Sequence, residues 1–460
     1  MSVSKLKLAI VGAGSVCFCP ATVSDILLSE HLNSVPLEIA LMDIDEGALR
    51  VSEQFAREAA AFAGRSARIT ATTTLEEALG GADFVITAIE LDRYHYWSMD
   101  FHIPRRYGFR QIYGENGGPG GMFHTLRNLP PMLKIARTME QVCPDAWLLN
   151  YTNPEAKLVE AIRKITKVKA VGLCHGEGMG VDQLAMMLGM KKEDLVTEVV
   201  GLNHFGWFTK IEDRDGEDLY PKLKQNEAQM DFLARWDELM LSRLMLRTYG
   251  LYPYPGANHI GEYIAWSDEL LASQHIQFFF DPVNHDPWKG GTTPEFIYNF
   301  QSNPTARSLF PQNKGIKEDA NFRERFALQG GKIVGSNEYG IPIAESIAFD
   351  IPREIGALNV LNEGFAPNLP FNMAIELPAM VDGRGIHPKA CQALPTAIAS
   401  MIQTQGAIHQ LLIEAYQEQS RNKLLQALLI DPTVSNYNNA VALIDEMCER
   451  QSGILPPLFW

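Results

Sequence analysis

The sequence predicts an α/β fold: a doubly wound parallel sheet followed by a second, mixed and largely helical C-terminal domain. Three observations predict it. Short β-branched runs alternate with longer amphipathic stretches through the first part of the chain, a glycine-rich turn follows the first of those runs, and the alternation gives way to helical patterning towards the end.

Residues 6–11, 38–42, 68–72 and 84–88 read as the first strands, because each is a short apolar run bounded by polar or glycine positions. Between the second and third lies a helix with Phe55, Ala59 and Phe62 at the spacing of one face. Residues 146–150 and 169–174 are further strands, separated by a helix from Glu155 to about Lys164. Such a sheet holds its ligands at the carboxyl ends of its strands. Beyond about residue 195 the pattern changes, so the chain divides into 1–195, a nucleotide-type domain, and 196–460, a domain for substrate binding and oligomerisation. Residues 249–303 are rich in proline, glycine and aromatics, and 391–429 and 439–449 are helical. With no linker or repeat between them, the two parts are expected to pack together around a cleft.

A chain of 460 residues is long enough for two cores of this kind. With 40 basic against 55 acidic residues the net charge is -15, which argues against a nucleic-acid partner. No apolar run is long enough for a membrane span, and the apolar stretch after Lys7 is too short and glycine-rich for a signal peptide, so the expected location is the cytoplasm. Six cysteines without a disulfide-like spacing agree with a reducing compartment.

Gly12-Ala13-Gly14-Ser15 follows the first strand, where small residues let the backbone and a helix N-terminus approach a pyrophosphate. The third glycine of the usual pattern is replaced by Cys17. Asp43 ends the second strand, where an acid would hold the ribose hydroxyls of NAD and disfavour a 2′-phosphate; it could instead cap the next helix, a role that suits Asp45 better. The cofactor expected of this Rossmann-type half is therefore NAD, held by Gly12, Gly14, Ser15 and Asp43, with Asn153 as a further contact. Asn153 could equally cap the helix that Pro154 opens. Asn150, at a strand end, is harder to explain as a cap.

Cys174, in Gly172-Leu173-Cys174-His175-Gly176, and His204, in Gly201-Leu202-Asn203-His204-Phe205-Gly206-Trp207, lie in glycine-flanked segments. A thiolate and an imidazole could share one divalent ion and leave positions open for substrate oxygens; a small buried thiol and a core histidine would also fit.

Taken in order, these segments resemble glycoside hydrolase family four: Gly12-Ala13-Gly14-Ser15, Gly118-Pro119-Gly120-Gly121, Asn150-Tyr151-Thr152-Asn153-Pro154, the Cys174 and His204 segments, and Glu376-Leu377-Pro378 through Pro388 to Leu394-Pro395. The resemblance implies an NAD- and divalent-metal-dependent glycosidase, with manganese as the expected ion, Cys174 and His204 as ligands, and a homo-oligomer, dimer or tetramer. Asn150, Asn203 and His259 then contact substrate, and Glu262 borders the same site. The family's tyrosine base matches Tyr249 best, with Tyr252 and Tyr254 close enough to confuse the register. Glu115 or His175 is the acid. Members acting on phosphorylated α-glucosides carry Asp after the metal cysteine; His175 here points to an unphosphorylated α-glucoside, α-galactoside or α-uronide.

The chemistry this implies departs from the carboxylate-pair scheme. NAD oxidises sugar carbon 3, the acidified proton at carbon 2 is removed, the aglycone is eliminated, water adds and NADH returns its hydride. Two other classes share parts of the pattern. A dehydrogenase of the lactate or malate type has the same architecture but no use for a cysteine beside His204, and a non-catalytic NAD sensor needs no metal pair. Arg105, Arg106, Arg110, Arg384 and Lys389 flank the motifs and leave an acidic sugar, a uronide or sulfonated sugar, as an alternative substrate.

Overall fold

The computed structural model describes residues 3–15, 18–230, 239–267, 280–281, 286–287, 333–336 and 338–460. Cys17 and most of the proline- and aromatic-rich stretch lie outside these residues. In the first half, strands β1 (Leu6–Val11), β2 (Leu37–Met42), β3 (Arg68–Thr72), β4 (Phe84–Thr87), β5 (Trp147–Asn150) and β6 (Lys169–Gly172) alternate with helices α1 (Phe18–Leu28), α2 (Glu46–Phe62), α3 (Leu75–Leu79), α4 (Arg93–Arg106), α5 (Gly118–Val142), α6 (Glu155–Ile165) and α7 (Gly176–Leu188). The strands run parallel in the order β3-β2-β1-β4-β5-β6, the doubly wound order of a Rossmann-type sheet.

The second half supplies β7 (Leu195–Leu202), β8 (Phe205–Asp213), β9 (Tyr252–Tyr254), β10 (Arg353–Leu361), β11 (Ala374–Asp382) and β12 (Gly385–Pro388). These extend the same sheet with antiparallel partners: β10 pairs β6, then β11, β7, β8 and β9 follow, giving 12 strands in all. Its helices are α8 (Tyr220–Gln229), α9 (Met240–Tyr249), α10 (Ala257–Gly261), α11 (Gly340–Phe349), α12 (Thr396–Glu418), α13 (Arg421–Ile430) and α14 (Tyr437–Arg450). The last three pack on the nucleotide half: one apolar core joins Leu412, Leu428 and Leu443 to Val85, Phe123, Leu148 and Val159. That continuity fixes the angle between the halves and hence the shape of the cleft.

Two local expectations change. Phe62 is 52% exposed, and the buried face of α2 is instead Leu49, Ser52, Phe55, Ala56, Ala59 and Ala60. Phe62 is the last residue of α2, in its final turn. Cys174 does not end a strand, because β6 stops at Gly172 and Cys174 lies in the turn before α7.

Candidate active site

At the nucleotide end the turn after β1 is held by its own chemistry. Gly12 adopts φ 88°, and a Cβ there would lie 2.3 Å from the Ala88 carbonyl oxygen, so only glycine fits. Asp43 does not cap α2. Its Oδ2 accepts from Gly14 N at 2.7 Å and its Oδ1 from Asp45 N at 2.9 Å, while Asp45 Oδ1 accepts from Gly47 N and Ala48 N and caps the helix. Ser15 Oγ accepts from Phe18 N at 3.2 Å at the start of α1. These positions form the glycine turn, helix start and strand-end acid that a dinucleotide requires. Asn153 is half-buried with its carbonyl bonded to Asn128 Nδ2, and α6 opens after Pro154 with no side-chain cap.

A second site is assembled from three segments. His204 sits in the two-residue turn Asn203-His204 between β7 and β8 with φ 67°, a left-handed conformation costing about 1–3 kcal/mol that the paired strands enforce. Its Nδ1 lies 2.9 Å from Asn116 Nδ2. Glu262, at the end of α10, accepts from Asn116 N at 2.5 Å and from Gly117 N. A Cβ at Gly117 would stand 2.6 Å from the Glu262 Cβ, which is why the loop after Glu115 must be glycine-rich to receive α10. Lys157 of α6 ties down the Asn116 carbonyl at 2.5 Å. Glu115 is buried and paired with Arg93 at 2.5 Å.

One ligand-type atom from each of Glu115, His204, His259 and Glu262 lies within 4.8 Å of the other three. The rings of His204 and His259 are 4.1 Å apart, and Tyr113 stands edge-on to His259. Burial, then the neighbouring imidazole, holds His204 well below the ordinary histidine range, and burial lowers His259 to about 4, so both are neutral. Burial and the Glu115 charge push Glu262 well up.

Cys174 has its thiol beside the Asn203 side chain, next to His204 in sequence, and its Sγ accepts from Gly176 N at 3.3 Å. Among the described residues the four-membered group does not include it. Burial and the carboxylates of Glu376 and Glu155 push its thiol up, so a thiolate there needs a cation beside it. In one row across the sheet Gly172 pairs with Asn359, Asn359 with Glu376, Glu376 with Gly201, Gly201 with Gly206 and Gly206 with Tyr254. The Tyr254 hydroxyl donates to Glu376, and Asn203 and Asn359 approach the same carboxylate at 3.4 and 3.3 Å. Glu155 fills the space that a side chain at Gly172 would need.

The remaining expected residues fall at varied distances from this centre. Asn150 is fully buried, and its Oδ1 accepts from Thr87 Oγ1 at 2.9 Å and Thr152 N at 3.0 Å. His175 is half-exposed, with Nδ1 3.3 Å from Glu338 Oε1, a bond that raises it. Tyr249 closes α9 with its ring edge-on to Trp207 at 6.0 Å. Tyr252 donates to Gln183 Oε1 at 3.0 Å. Tyr263 was not anticipated: it is buried, and its hydroxyl donates to the Asn203 carbonyl at 3.1 Å beside His204. Its position one residue after Glu262, in a motif already tied to the site, was the available signal.

Four of the five charges considered for an acidic sugar have partners outside this centre. Arg105 bonds the Gln111 carbonyl, Arg106 pairs with Glu446, Arg384 with Asp382, and Lys389 with Glu354; Arg110 is exposed.

Fold and site together define an enzyme built on a dinucleotide-type sheet that also carries a buried cluster of carboxylates and imidazoles. Comparison with known proteins makes the class specific. The family 4 glycosyl hydrolase model matches residues 7–190, and the model of that family's C-terminal domain matches residues 199–434. An α-glucosidase from Erwinia rhapontici is 32% identical over 97% of this chain and 98% of its own length. An α-galactosidase from Bacillus subtilis is 30% identical over 98% and 99%. A solved 6-phospho-α-glucosidase from gut microorganisms, in complex with NAD and Mn2+, shares the fold with a TM-score of 0.76 at 24% identity, covering 99% of this chain and 100% of that one. The chain belongs to family 4 of the glycosyl hydrolases and is a glycosidase. Among the described residues, no helix is long and apolar enough to cross a membrane.

Proposed function

We propose that this enzyme cleaves an unphosphorylated, uncharged α-hexoside, a glucoside or galactoside, by a redox and elimination route that uses NAD and a divalent ion, expected to be manganese. The observation that carries the reading is the pairing of a nucleotide turn, Gly12, Gly14 and Asp43, with the buried group Glu115, His204, His259 and Glu262. Relatives named α-glucosidase and α-galactosidase at 32% and 30% identity favour the sugar class. His175 after Cys174, and the engagement of the flanking arginines elsewhere, speak against phosphate and uronate.

When bound, NAD offers a reversible hydride acceptor and the ion polarises sugar oxygens. The chain's residues do the rest. Asp43 holds the ribose hydroxyls and repels a 2′-phosphate, and the turn at Gly12 to Ser15 receives the pyrophosphate. His204 and Cys174 are the ligands implied by the motifs, with Asn203 orienting between Cys174 and Glu376. Removal of the proton at carbon 2 falls to a tyrosine. The motif favours Tyr249; the geometry favours Tyr263, whose hydroxyl already stands at Asn203, over a ring that leans on Trp207. Proton donation to the leaving oxygen falls to Glu115, held by Arg93, or to the half-exposed His175. Asn150 acts behind them by fixing the strand-end turn.

The test is an assay of the stripped protein on nitrophenyl α-glucoside, α-galactoside, α-galacturonide and 6-phospho-α-glucoside, each with and without NAD and manganese. Release is expected from the uncharged sugars and only with both additions. Release from the phosphosugar or uronide alone would overturn the substrate class, and release without NAD would overturn the route.

A further inference from the structure

We propose that Lys157 is a positioning residue for proton removal at carbon 2: its buried ammonium holds the Asn116 carbonyl and faces the ring of Tyr263, and its charge enables that tyrosine to act as the base. The inference rests on the reading above, in which a tyrosine takes this proton, and deepens it for Tyr263.

The burial of Lys157 needs a reason. It is the third residue of α6 and is 4% exposed. A buried ammonium is costly unless its protons and its charge are met, and the first turn of a helix, at the positive end of the backbone dipole, disfavours a cation further. An apolar side chain would pack there without either cost. Burial lowers the ammonium to about 8, while the carboxyls of Glu262, Asp431 and Glu160 act the other way, so the group is charged at neutral pH.

What the charge touches gives its role. Among the described residues its one hydrogen bond goes to the Asn116 carbonyl oxygen, at 2.5 Å. The same Asn116 donates its backbone N–H to Glu262 and sets its side-chain amide 2.9 Å from His204 Nδ1. Nζ also lies 5.9 Å from the centroid of the Tyr263 ring, within reach of a cation–π attraction. Tyr263 follows Glu262 in the chain, and its hydroxyl reaches the Asn203 carbonyl. One ammonium therefore joins α6 to the loop before α5 and to the tyrosine after α10.

The surroundings of Tyr263 make that cation matter. Burial, then the carboxyls of Glu262, Glu376, Glu115 and Glu155, push its phenol well up. Among the described residues the cation set against its ring is Lys157. To serve as base, Tyr263 first gives its own proton to solvent. In the step itself the bond from carbon 2 to hydrogen breaks, the O–H bond of Tyr263 forms, and the electron pair stays on the sugar beside the carbon 3 ketone. Unit charges about 6 Å apart at an effective dielectric of ~20 attract by the equivalent of roughly 100-fold in rate.

Two substitutions separate charge from tether. Lys157→Gln keeps a donor for the Asn116 carbonyl without the charge, and Lys157→Met loses both. Each is assayed with NAD and manganese on the nitrophenyl glycoside that the wild type releases, alone and combined with Tyr263→Phe, with circular dichroism to verify folding. Both single variants are expected to lose roughly 10- to 100-fold in kcat, with KM and NAD affinity within about threefold, and the acidic limb of the kcat profile moves to higher pH because the ionised base is harder to reach. In the Tyr263→Phe background the same substitutions change kcat by less than about threefold. Equal losses in both backgrounds, an unmoved limb, or wild-type kcat in Lys157→Gln overturns the proposal. If neither Lys157 variant folds, Lys157→Arg, which keeps the charge, decides: the limb stays within about 0.5 pH unit of wild type, and a larger upward move overturns the proposal. Wild-type kcat in Tyr263→Phe alone removes Tyr263 as base and this proposal with it, whereas release by the wild type without NAD removes the redox reading itself.

Discussion

The nucleotide turn and the buried carboxylate and imidazole cluster are assembled differently. At the nucleotide side, Gly12 and Gly14 follow a single strand, and Asp43 ends its neighbour, so paired β1 and β2 bring the three together by register alone. At the side proposed for the sugar, Glu115 comes from the loop before α5, His204 from a hairpin, and His259 and Glu262 from α10 and its C-terminal cap. Backbone conformation carries the first: a positive φ at Gly12 and a helix cap at Asp45. Side-chain anchoring carries the second, through Asn116, Gly117, Lys157 and Arg93. A defect on the first side should weaken cofactor binding in a graded way, whereas one on the second should strike the chemical step.

The largest effect expected is on the second side. Tyr263→Phe should lower kcat by roughly 10²- to 10⁴-fold, the usual loss for a general base, with NAD affinity unchanged. Tyr249→Phe should change kcat by less than about tenfold, because its ring packs on Trp207. Steady-state kinetics on both variants checks this, and the opposite ranking returns the base to Tyr249.

An intermediate effect belongs to the first side. Asp43→Asn keeps the shape but loses the charge that faces Gly14 N, so NAD should bind roughly 10- to 100-fold more weakly while NADP loses less. Fluorescence titration of the stripped protein with each cofactor reads the two constants. Parallel losses would mean that Asp43 only braces the turn.

The smallest effect tests how far helical periodicity could be trusted. Phe62→Lys should alter stability by no more than about 0.5 kcal/mol in denaturant unfolding, because the side chain is 52% exposed. A loss of several kcal/mol would restore Phe62 to the core.

The same contrast separates what the sequence makes legible from what it does not. The strands of the first half were legible because parallel strands buried on both faces leave continuous apolar runs, and Asp45 and Asp43 could be told apart by their offset from α2. The resemblance carried His204, His259 and Glu262 to the site without giving their mutual distances. Phe62 misled because spacing alone cannot show that the final turn of a helix is left uncovered. The motif that holds Glu376 did not show that it meets Asn359, since that contact arises from strand register, and Glu155 and Asn359 had no local signature. Tyr263 was hidden for the same reason: its value comes from the Asn203 carbonyl, 60 positions away.

The central claim is that both sides of the cleft serve one redox and elimination route. Turnover in heavy water tests it most directly, with the sugar product examined by NMR or mass spectrometry. The account predicts deuterium at carbon 2 of the released sugar, appearing only when NAD and manganese are present, because the proton taken by the tyrosine exchanges with solvent before it returns. Sugar released without NAD and with carbon 2 unlabelled would contradict it.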